Sequence, residues 1–291
     1  MNEFVASPYL VPFDGTFSIG EARCAPPPDA PGKKDNKKRL KERRDELGDL
    51  QRILYAHDRH AVLLVFQAMD AAGKDGTIRA VLEGVNPAGC QVFSFKKPSS
   101  LELDHDFLWR TAKRLPERGR IGVFNRSYYE EVLVVRVHPG ILDGQQLPSS
   151  VDRERIWEDR YESIRDHETH LARNGTVILK FFLHVSKEEQ RQRFLSRLDE
   201  PEKNWKFSKA DLRERGYWDD YQVAYEEALR ETSRAHAPWY AIPADDKSFM
   251  RATVADIVVS RLQQLDLHYP PVDDEVAANV DTLRAQLEGE A

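Results

Sequence analysis

The chain has 291 residues, 41% hydrophobic and 32% charged, which is enough to bury a sizeable core in one large domain or two small ones. Its net charge of −6 argues against a nucleic-acid-binding protein, so any site for a polyanion must be a local basic patch. Its two cysteines show neither metal-ligand nor disulfide spacing and fit a reducing cytoplasm, its polar start predicts no secretory signal, and its apolar runs are too short to cross a membrane.

The N-terminal part of the chain divides into an arm and a helix. Residues 1–32 contain the stretch APPPDAPG and little periodicity, so we expect an extended arm. From residue 33 onward, leucines recur at helical spacing and predict an amphipathic helix. Residues 33–44 hold eight Lys or Arg against two acidic residues. This cationic surface is either a solvated helix face or one wall of a groove for a polyanion.

The first buried strand is predicted at 61–68. The stretch FQAMDAAGKDG, residues 66–76, begins in the last residues of this strand and continues beyond it. Gly73 and Lys74 occupy their usual places in a phosphate-binding loop, but Ala68 replaces the first glycine and Asp75 replaces the Ser or Thr. A helix predicted at 76–85 would aim its free N–H groups at a bound phosphate. The order of strand, loop and helix therefore predicts a phosphate site.

Asp70 and Asp75 place two negative charges in this loop. They would repel a polyphosphate unless a divalent cation lay between them, and Mg²⁺ is usually held by one or two carboxylates plus substrate phosphates. The loop therefore predicts a magnesium site. The alternative for either residue is a simple cap at the helix N-terminus.

A strand predicted at 120–125 ends in FNRSYYEE. Strands at this place in phosphate-loop enzymes often carry the second metal-binding carboxylate, but here the residue is the neutral Asn125. Glu130 could supply the missing charge one turn later. Arg126 is placed to contact a phosphate, and its alternative role is a salt bridge.

The remaining strands are predicted at 90–95, 176–185 and 239–243, and helices at 101–115, 152–173 and 248–267, with another helix opened by a Ser186–Glu189 capping box. Strands that alternate with helices predict a doubly wound α/β fold with a parallel sheet and right-handed crossovers. We expect the acidic tail after Pro271 to dock loosely or to fray.

Residues 191–209 hold six basic residues against three acidic ones. A basic helix–loop near a phosphate loop predicts a lid that closes over phosphates, and the alternative is a charged surface hairpin. Lys96 and Lys97 follow the second strand at the same edge of the sheet, where each could bind phosphate or simply face solvent.

Six blocks of the sequence together resemble the family-2 polyphosphate kinases. They are AMDAAGKDG, FKKPSSLE, FNRSYYEEVLVVRVHP, RFLSRLDEPEKNWKFS, WDDYQVAYEEAL and APWYAIPADDK, and they run in order from about residue 33 to 268. The resemblance implies a P-loop kinase-like (thymidylate kinase-like) fold: a parallel five-stranded sheet flanked by helices, with a helical lid at about 187–216. We expect the arm 1–32, a single domain at 33–268 and the C-terminal tail 269–291.

The resemblance also implies an activity. The enzyme would move a phosphoryl group between inorganic polyphosphate and adenine or guanine nucleotides with Mg²⁺, for which Mn²⁺ could substitute. It would be a dimer or tetramer. The composition adds the expectation of a cytoplasmic location, without nucleic acid or membrane as partners. Many members have Asp where this chain has Asn125, and the Asn form resembles the subgroup that phosphorylates AMP as well as ADP.

The expected site residues fall into three overlapping sets. The catalytic set is Asp70, Lys74, Asp75, Arg126 and Glu130, and the metal-binding set is Asp70, Asp75 and Glu130. The phosphate- and polyphosphate-binding set is Ala72, Gly73, Lys74, Gly76, Thr77, Lys96, Lys97, Arg126, Arg193, Arg197, Lys203 and Lys206. Two other functions remain open: an ATP-dependent nucleoside monophosphate kinase, which needs no long basic channel, and a non-catalytic polyanion-binding module, which needs no acidic residues at the phosphates.

Overall fold

The structure, a computed structural model, describes residues 3–290, except for the side chains of Lys203 and Lys206. Five parallel strands form one sheet in the order β2-β3-β1-β4-β5. The strands are β1 (Ala61–Gln67), β2 (Cys90–Ser94), β3 (Ile121–Asn125), β4 (Thr176–His184) and β5 (Trp239–Pro243). This order confirms the predicted α/β fold with a parallel sheet.

Helices cover both faces of the sheet, which is why β1 is buried at all seven of its positions. They are α1 (Lys33–His57), α2 (Lys74–Val81), α3 (Ser100–Leu103), α4 (Trp109–Ala112), α5 (Val134–Val137), α6 (Ile156–Arg173), α7 (Lys187–Asp199), α8 (Lys209–Gly216), α9 (Trp218–Thr232), α10 (Lys247–Gln263) and α11 (Asp274–Gly289). Within residues 3–290, each helix is too short or too polar to cross a bilayer.

Helix α1 confirms the prediction from its leucine spacing. Leu40, Leu47 and Leu54 are buried in the core. Two of its cations are used in packing, because Arg39 and Arg43 both pair with Asp256 on α10, at 3.3 and 2.9 Å. The cationic face therefore divides between a helix interface and solvent.

The helix predicted at 101–115 is wrong as one continuous element, since the structure has the two short helices α3 and α4 there. The Asp106 carboxylate accepts the backbone N–H of Leu108 at 2.9 Å and turns the chain between them. The same chemistry explains why α6 begins at Ile156 and not at 152. There the Asp152 carboxylate accepts the N–H of Glu154 at 2.9 Å.

The predicted capping box at the start of α7 is only half formed. The Ser186 hydroxyl accepts the N–H of Glu189 at 3.1 Å. The reciprocal bond is missing because Asp245 accepts the Ser186 N–H at 2.8 Å, while the Glu189 carboxylate accepts from Arg193 at 2.7 Å. Tertiary partners thus replace the local one.

The two ends of the chain differ in how they meet the body. Residues near the start run along β5, where Val11 N–H donates to Trp239 at 2.9 Å and Ala241 N–H donates to Tyr9 at 2.8 Å. This contact covers the outer edge of the sheet. Helix α11 contains no buried residue. Its apolar residues at 276, 280, 283 and 287 have helical spacing, a signal from which the helix could have been predicted.

A buried ion pair lies beneath the sheet, between β4 and α6. Lys180 is fully buried, and its ammonium donates to Glu168 at 2.6 Å and to the Tyr129 hydroxyl at 2.8 Å. Burial lowers the pKa of Lys180 to about 8 although Glu168 opposes that shift. The Tyr128 and Tyr129 hydroxyls also donate to Glu168, at 2.9 and 2.8 Å. The network therefore anchors the turn that follows β3.

We expect Lys180→Met to lower the free energy of unfolding by about 3–5 kcal/mol, because it leaves the Glu168 charge buried and uncompensated. Lys180→Met combined with Glu168→Gln should recover more than half of that loss, since no buried charge remains. Urea denaturation of the two variants beside the unaltered protein measures both effects. A double variant as unstable as Lys180→Met would contradict the electrostatic explanation.

Candidate functional site

The loop between β1 and α2 lies at the carboxyl end of the sheet, where open α/β sheets bind ligands. Two of its residues have left-handed backbone: Ala71 with φ of 64° and Gly73 with φ of 106°. A Cβ on Gly73 would lie 3.3 Å from the methyl carbon of the flexible Met250 side chain, so the left-handed backbone is the main reason for glycine at this position. Ala71 carries a side chain, so its left-handed backbone is strained. Strained residues of this kind are found most often at functional sites.

Lys74 opens α2, and its side chain folds over the loop, where its ammonium donates to the carbonyl of Ala68 at 2.7 Å. Burial and the neighbouring Arg126 lower the pKa of Lys74 to about 8, while three carboxylates oppose that shift. These carboxylates belong to Asp70, Glu130 and Asp75. The structure therefore brings the five predicted catalytic residues into one electrostatic neighbourhood.

Arg126 follows β3 and has a φ of 62°. Its two terminal nitrogens reach different carboxylates, Asp70 at 2.9 Å and Glu130 at 3.4 Å. Glu130 and Asp70 raise the pKa of Arg126 above its usual value, against the effect of burial. Of the two roles that the sequence left open for Arg126, the salt bridge is present, and contact with a phosphate stays a prediction.

Glu130 lies deeper than Asp70, and burial raises its pKa although Arg126 and Lys74 oppose that shift. Two tyrosines of α9, Tyr221 and Tyr225, share this neighbourhood. Burial is the first cause that raises the pKa of each, and the charges of Glu130 and Asp70 add to it. Sequence reasoning missed both tyrosines, although they are four residues apart and so share one face of a helix.

Asp75 lies on the other side of the site. Its carboxylate accepts from the Asn125 amide at 2.5 Å, and the same amide reaches the Ser94 hydroxyl at 3.3 Å. These three residues line part of a cavity of about 710 Å³. The rest of its lining is Ile78, Arg79, Leu82, Glu83 and Val92. The cavity thus lies between α2, β2 and the end of β3, and Asp75 is its lining residue nearest in sequence to the phosphate loop.

The three predicted metal ligands fall into two groups. Asp70 and Glu130 share Arg126, whereas Asp75 bonds to Asn125. Among residues 3–290, no three His, Cys, Asp or Glu side chains form a cluster that could hold a metal ion. The structure therefore does not assemble the predicted three-carboxylate set. One or two of these carboxylates are still a suitable ligand set for a cation whose other ligands are substrate phosphates.

Two residues of the predicted phosphate-binding set bond to backbone carbonyls instead of facing the site. Thr77 is fully buried, and both its hydroxyl and its N–H donate to the carbonyl of Gly73 at 3.0 Å. Arg193 is buried behind the loop, where it donates to the carbonyls of Ala72 and Ala244 at 2.6 and 2.5 Å. The structure thus presents no free donor of Thr77 to a phosphate, and it gives Arg193 the task of supporting the loop.

The other members of the set are placed as follows. Ala72 is buried in the loop, and a Cβ on Gly76 would lie 3.0 Å from an Arg251 nitrogen. Lys96 and Lys97 are exposed after β2, and Arg197 is 3.9 Å from Asp211. The side chains of Lys203 and Lys206 lie outside the described part of the structure. The predicted lid segment, residues 187–216, forms α7, a 3-10 turn over Pro201–Lys206 and α8.

The chain is similar to proteins of one family. The family model for polyphosphate kinase 2 matches residues 31–269. An ADP-polyphosphate phosphotransferase of Rhodopseudomonas palustris is 60% identical over 249 residues, which cover 85% of this chain and 86% of that protein. An AMP/ADP-polyphosphate phosphotransferase of Meiothermus ruber is 51% identical over 224 residues, 77% of this chain and 80% of that protein.

A solved structure supports the same relationship. The crystal structure of polyphosphate kinase 2 from Arthrobacter aurescens superposes with a TM-score of 0.87 at 39% sequence identity, and the match covers 97% of this chain and 98% of that chain. The match therefore extends over nearly the full length of both chains.

Proposed function

Since the chain belongs to the polyphosphate kinase 2 family, we propose that it transfers a phosphoryl group between inorganic polyphosphate and nucleotides, converting ADP to ATP and AMP to ADP. The observation that carries the proposal is the placement of Lys74 and Arg126 among Asp70, Asp75 and Glu130 at the phosphate loop. ADP is named for both relatives above, and AMP for the one from Meiothermus ruber. Guanine nucleotides are a further expected substrate, since a relative that is 34% identical is a GDP-polyphosphate phosphotransferase of Pseudomonas aeruginosa.

The protein's main contribution to the reaction would be positioning and charge neutralisation. Phosphoryl transfer spreads negative charge over the oxygens of the moving group, and fixed cations stabilise that charge without reorganising. Lys74 would supply one point charge. Arg126 would exchange a carboxylate partner for two phosphate oxygens, because its planar guanidinium binds either group with two parallel hydrogen bonds. Asp70 through a shared cation, or Glu130 through Arg126, would orient the attacking phosphate, which needs little base catalysis because it is mostly ionised near pH 7.

The metal in this proposal is Mg²⁺, with Mn²⁺ as a substitute. Asp70 and Asp75 would hold it together with phosphates of the substrates, and Glu130 would mainly balance the charge of Arg126. The cation would neutralise the phosphates that approach these carboxylates. Asn125 is neutral and already donates to Asp75, so it adds no further negative charge at this point.

Longer polyphosphate would extend from the loop along cations at the same edge of the sheet. Lys96, Lys97 and Arg197 are candidates, together with Lys203 and Lys206. We further propose a cytoplasmic homo-oligomer, a dimer or tetramer, with the arm 1–32, one catalytic domain at 33–268 and the tail 269–291. The two unpaired cysteines, Cys24 and Cys90, are consistent with a reducing compartment.

The test is an assay of the purified protein with long-chain polyphosphate, Mg²⁺ and either AMP or ADP, followed by chromatography of the nucleotides. We expect ATP from ADP, and ADP followed by ATP from AMP. Omission of polyphosphate is the matched control for each acceptor. ATP from ADP alone would retain polyphosphate-dependent transfer and remove AMP from the proposed substrates.

A further inference from the structure

Three successive carbonyls of the phosphate loop are held from behind by helix α7. Gln190 donates from its amide to the carbonyl of Asp70 at 2.9 Å. One Arg193 nitrogen donates to the carbonyls of Ala71 and Ala72, at 3.2 and 2.6 Å. Because peptide units are planar, fixing these carbonyls fixes the orientation of three consecutive peptide planes.

This support acts where the backbone needs it. Ala71 has a left-handed φ of 64°, a conformation that persists only when the surrounding structure enforces it. Gln190 and Arg193 are both buried, at 1% and 7% exposure. Arg193 is itself fixed by Glu189 at 2.7 Å and by the Ala244 carbonyl after β5 at 2.5 Å. The loop therefore takes its shape from α7 as well as from its own sequence.

The other end of the Gln190 amide reaches α8. Its oxygen accepts from Arg215 at 2.6 Å, and the same Arg215 nitrogen donates to the carbonyl of Lys187 at 2.8 Å. Arg215 lies in the last turn of α8, within the lid segment. One side-chain amide thus connects the lid segment to the backbone of Asp70.

The chemistry of an amide makes this connection directional. A guanidinium has only donors, so the Gln190 oxygen must face Arg215 and the NH₂ group must face Asp70. A rotated amide would set donor against donor at Arg215 and acceptor against acceptor at Asp70. Arg215 therefore fixes the orientation in which Gln190 can hold the loop.

We propose that Gln190 is a positioning residue that couples the placement of α8 to the geometry of Asp70. Asp70 meets Arg126 at 2.9 Å, so a shift in its backbone moves a carboxylate at the reacting centre. With respect to the reaction, this inference rests on the proposed function. The ordering of the phosphate loop by Arg215 and Gln190 does not depend on which substrate binds.

The test compares Gln190→Glu, Arg215→Met and, as a matched control, Gln192→Leu. A Glu at position 190 keeps an acceptor for Arg215 but loses the donor to Asp70. Arg215→Met leaves the loop and Gln190 untouched and removes the group that orients the amide. Gln192 lies two residues further along α7, is exposed and bonds to Glu188 at 2.7 Å.

The first readout is hydrogen exchange at residues 70–76 without substrates. We expect exchange to rise about tenfold in Gln190→Glu and severalfold in Arg215→Met, as for the loss of one buried hydrogen bond, and to stay unchanged in Gln192→Leu. The second readout is steady-state kinetics. In Gln190→Glu, kcat should fall by about 10- to 100-fold while the nucleotide KM changes little, because misplacement of a catalytic group affects mainly the chemical step.

Unchanged exchange in Arg215→Met would overturn the coupling, and so would a Gln190→Glu variant that lost only nucleotide affinity. Thermal unfolding of each variant separates these effects from general loss of fold. If Gln190→Glu does not fold, Arg215→Met still decides the question. Absence of polyphosphate-dependent transfer in the unaltered protein would contradict the proposed function, whereas the exchange experiment would still test the coupling.

Discussion

Replacing Asp70 with Asn should lower kcat for phosphoryl transfer by about a thousandfold, equivalent to about 4 kcal/mol, which is the scale of charge stabilisation by a bound metal ion. Asn keeps the size and shape of Asp but loses the charge that attracts a cation and pairs with Arg126 at 2.9 Å. Because the Asp70 side chain is about one-third exposed, at 34%, the loss of that pair should cost the fold little.

Steady-state kinetics at several Mg²⁺ concentrations provide the measurement. If Asp70 binds the metal, the variant should also need more Mg²⁺ to reach half of its own maximal rate. Asp166→Asn, at an exposed position on α6, is the matched control and should behave like the unaltered protein. Turnover within threefold of normal in Asp70→Asn at ordinary Mg²⁺ would show that this metal assignment is wrong.

Arg126→Ala should lower kcat by about a thousandfold or more, the range seen when an arginine that stabilises transferring phosphate is removed. Arg126→Lys should recover less than about a tenth of the lost rate, because a lysine is one point charge and cannot replace a planar group with two parallel donors. The structure supports this distinction, since two different nitrogens of Arg126 reach two different carboxylates.

The same kinetics measured for both variants test this prediction. Arg173→Ala, at an exposed position near the end of α6, is the control and should leave kcat unchanged. Removing Arg126 also leaves Asp70 and Glu130 without their shared partner, so thermal unfolding must accompany the assay. A lysine variant with nearly full activity would mean that charge alone suffices and that the paired geometry has no role in transfer.

Much of the fold follows from local patterns in the sequence. The buried run at 61–68 and the Gly73-Lys74 pair are local signals, and they correctly predicted β1 and the loop that opens α2. The failure at 101–115 has an equally local cause, because Asp106 bonds to the backbone two residues later and turns the chain. Helical periodicity could not reveal that competing bond.

The site was less predictable, because its remaining parts depend on contacts between distant residues. The sequence grouped Asp70, Asp75 and Glu130 by charge, but Arg126 draws two of them together and Asn125 holds the third. Arg193 looked like a cation for polyphosphate because it lies in a basic segment. Besides Glu189, it contacts carbonyls about 50 and 120 residues away in the chain, which no spacing rule identifies.

The most direct test of the account is the fate of labelled phosphate from polyphosphate. The purified protein would be mixed with ³²P-labelled polyphosphate, unlabelled ADP and Mg²⁺, with a parallel reaction in which ATP is the sole donor to AMP. We expect label in the terminal phosphate of newly formed ATP, formed only with Mg²⁺ and about a thousandfold more slowly in Asp70→Asn. No transfer of label to nucleotide, together with rapid transfer from ATP to AMP, would contradict it and identify an ordinary nucleotide kinase.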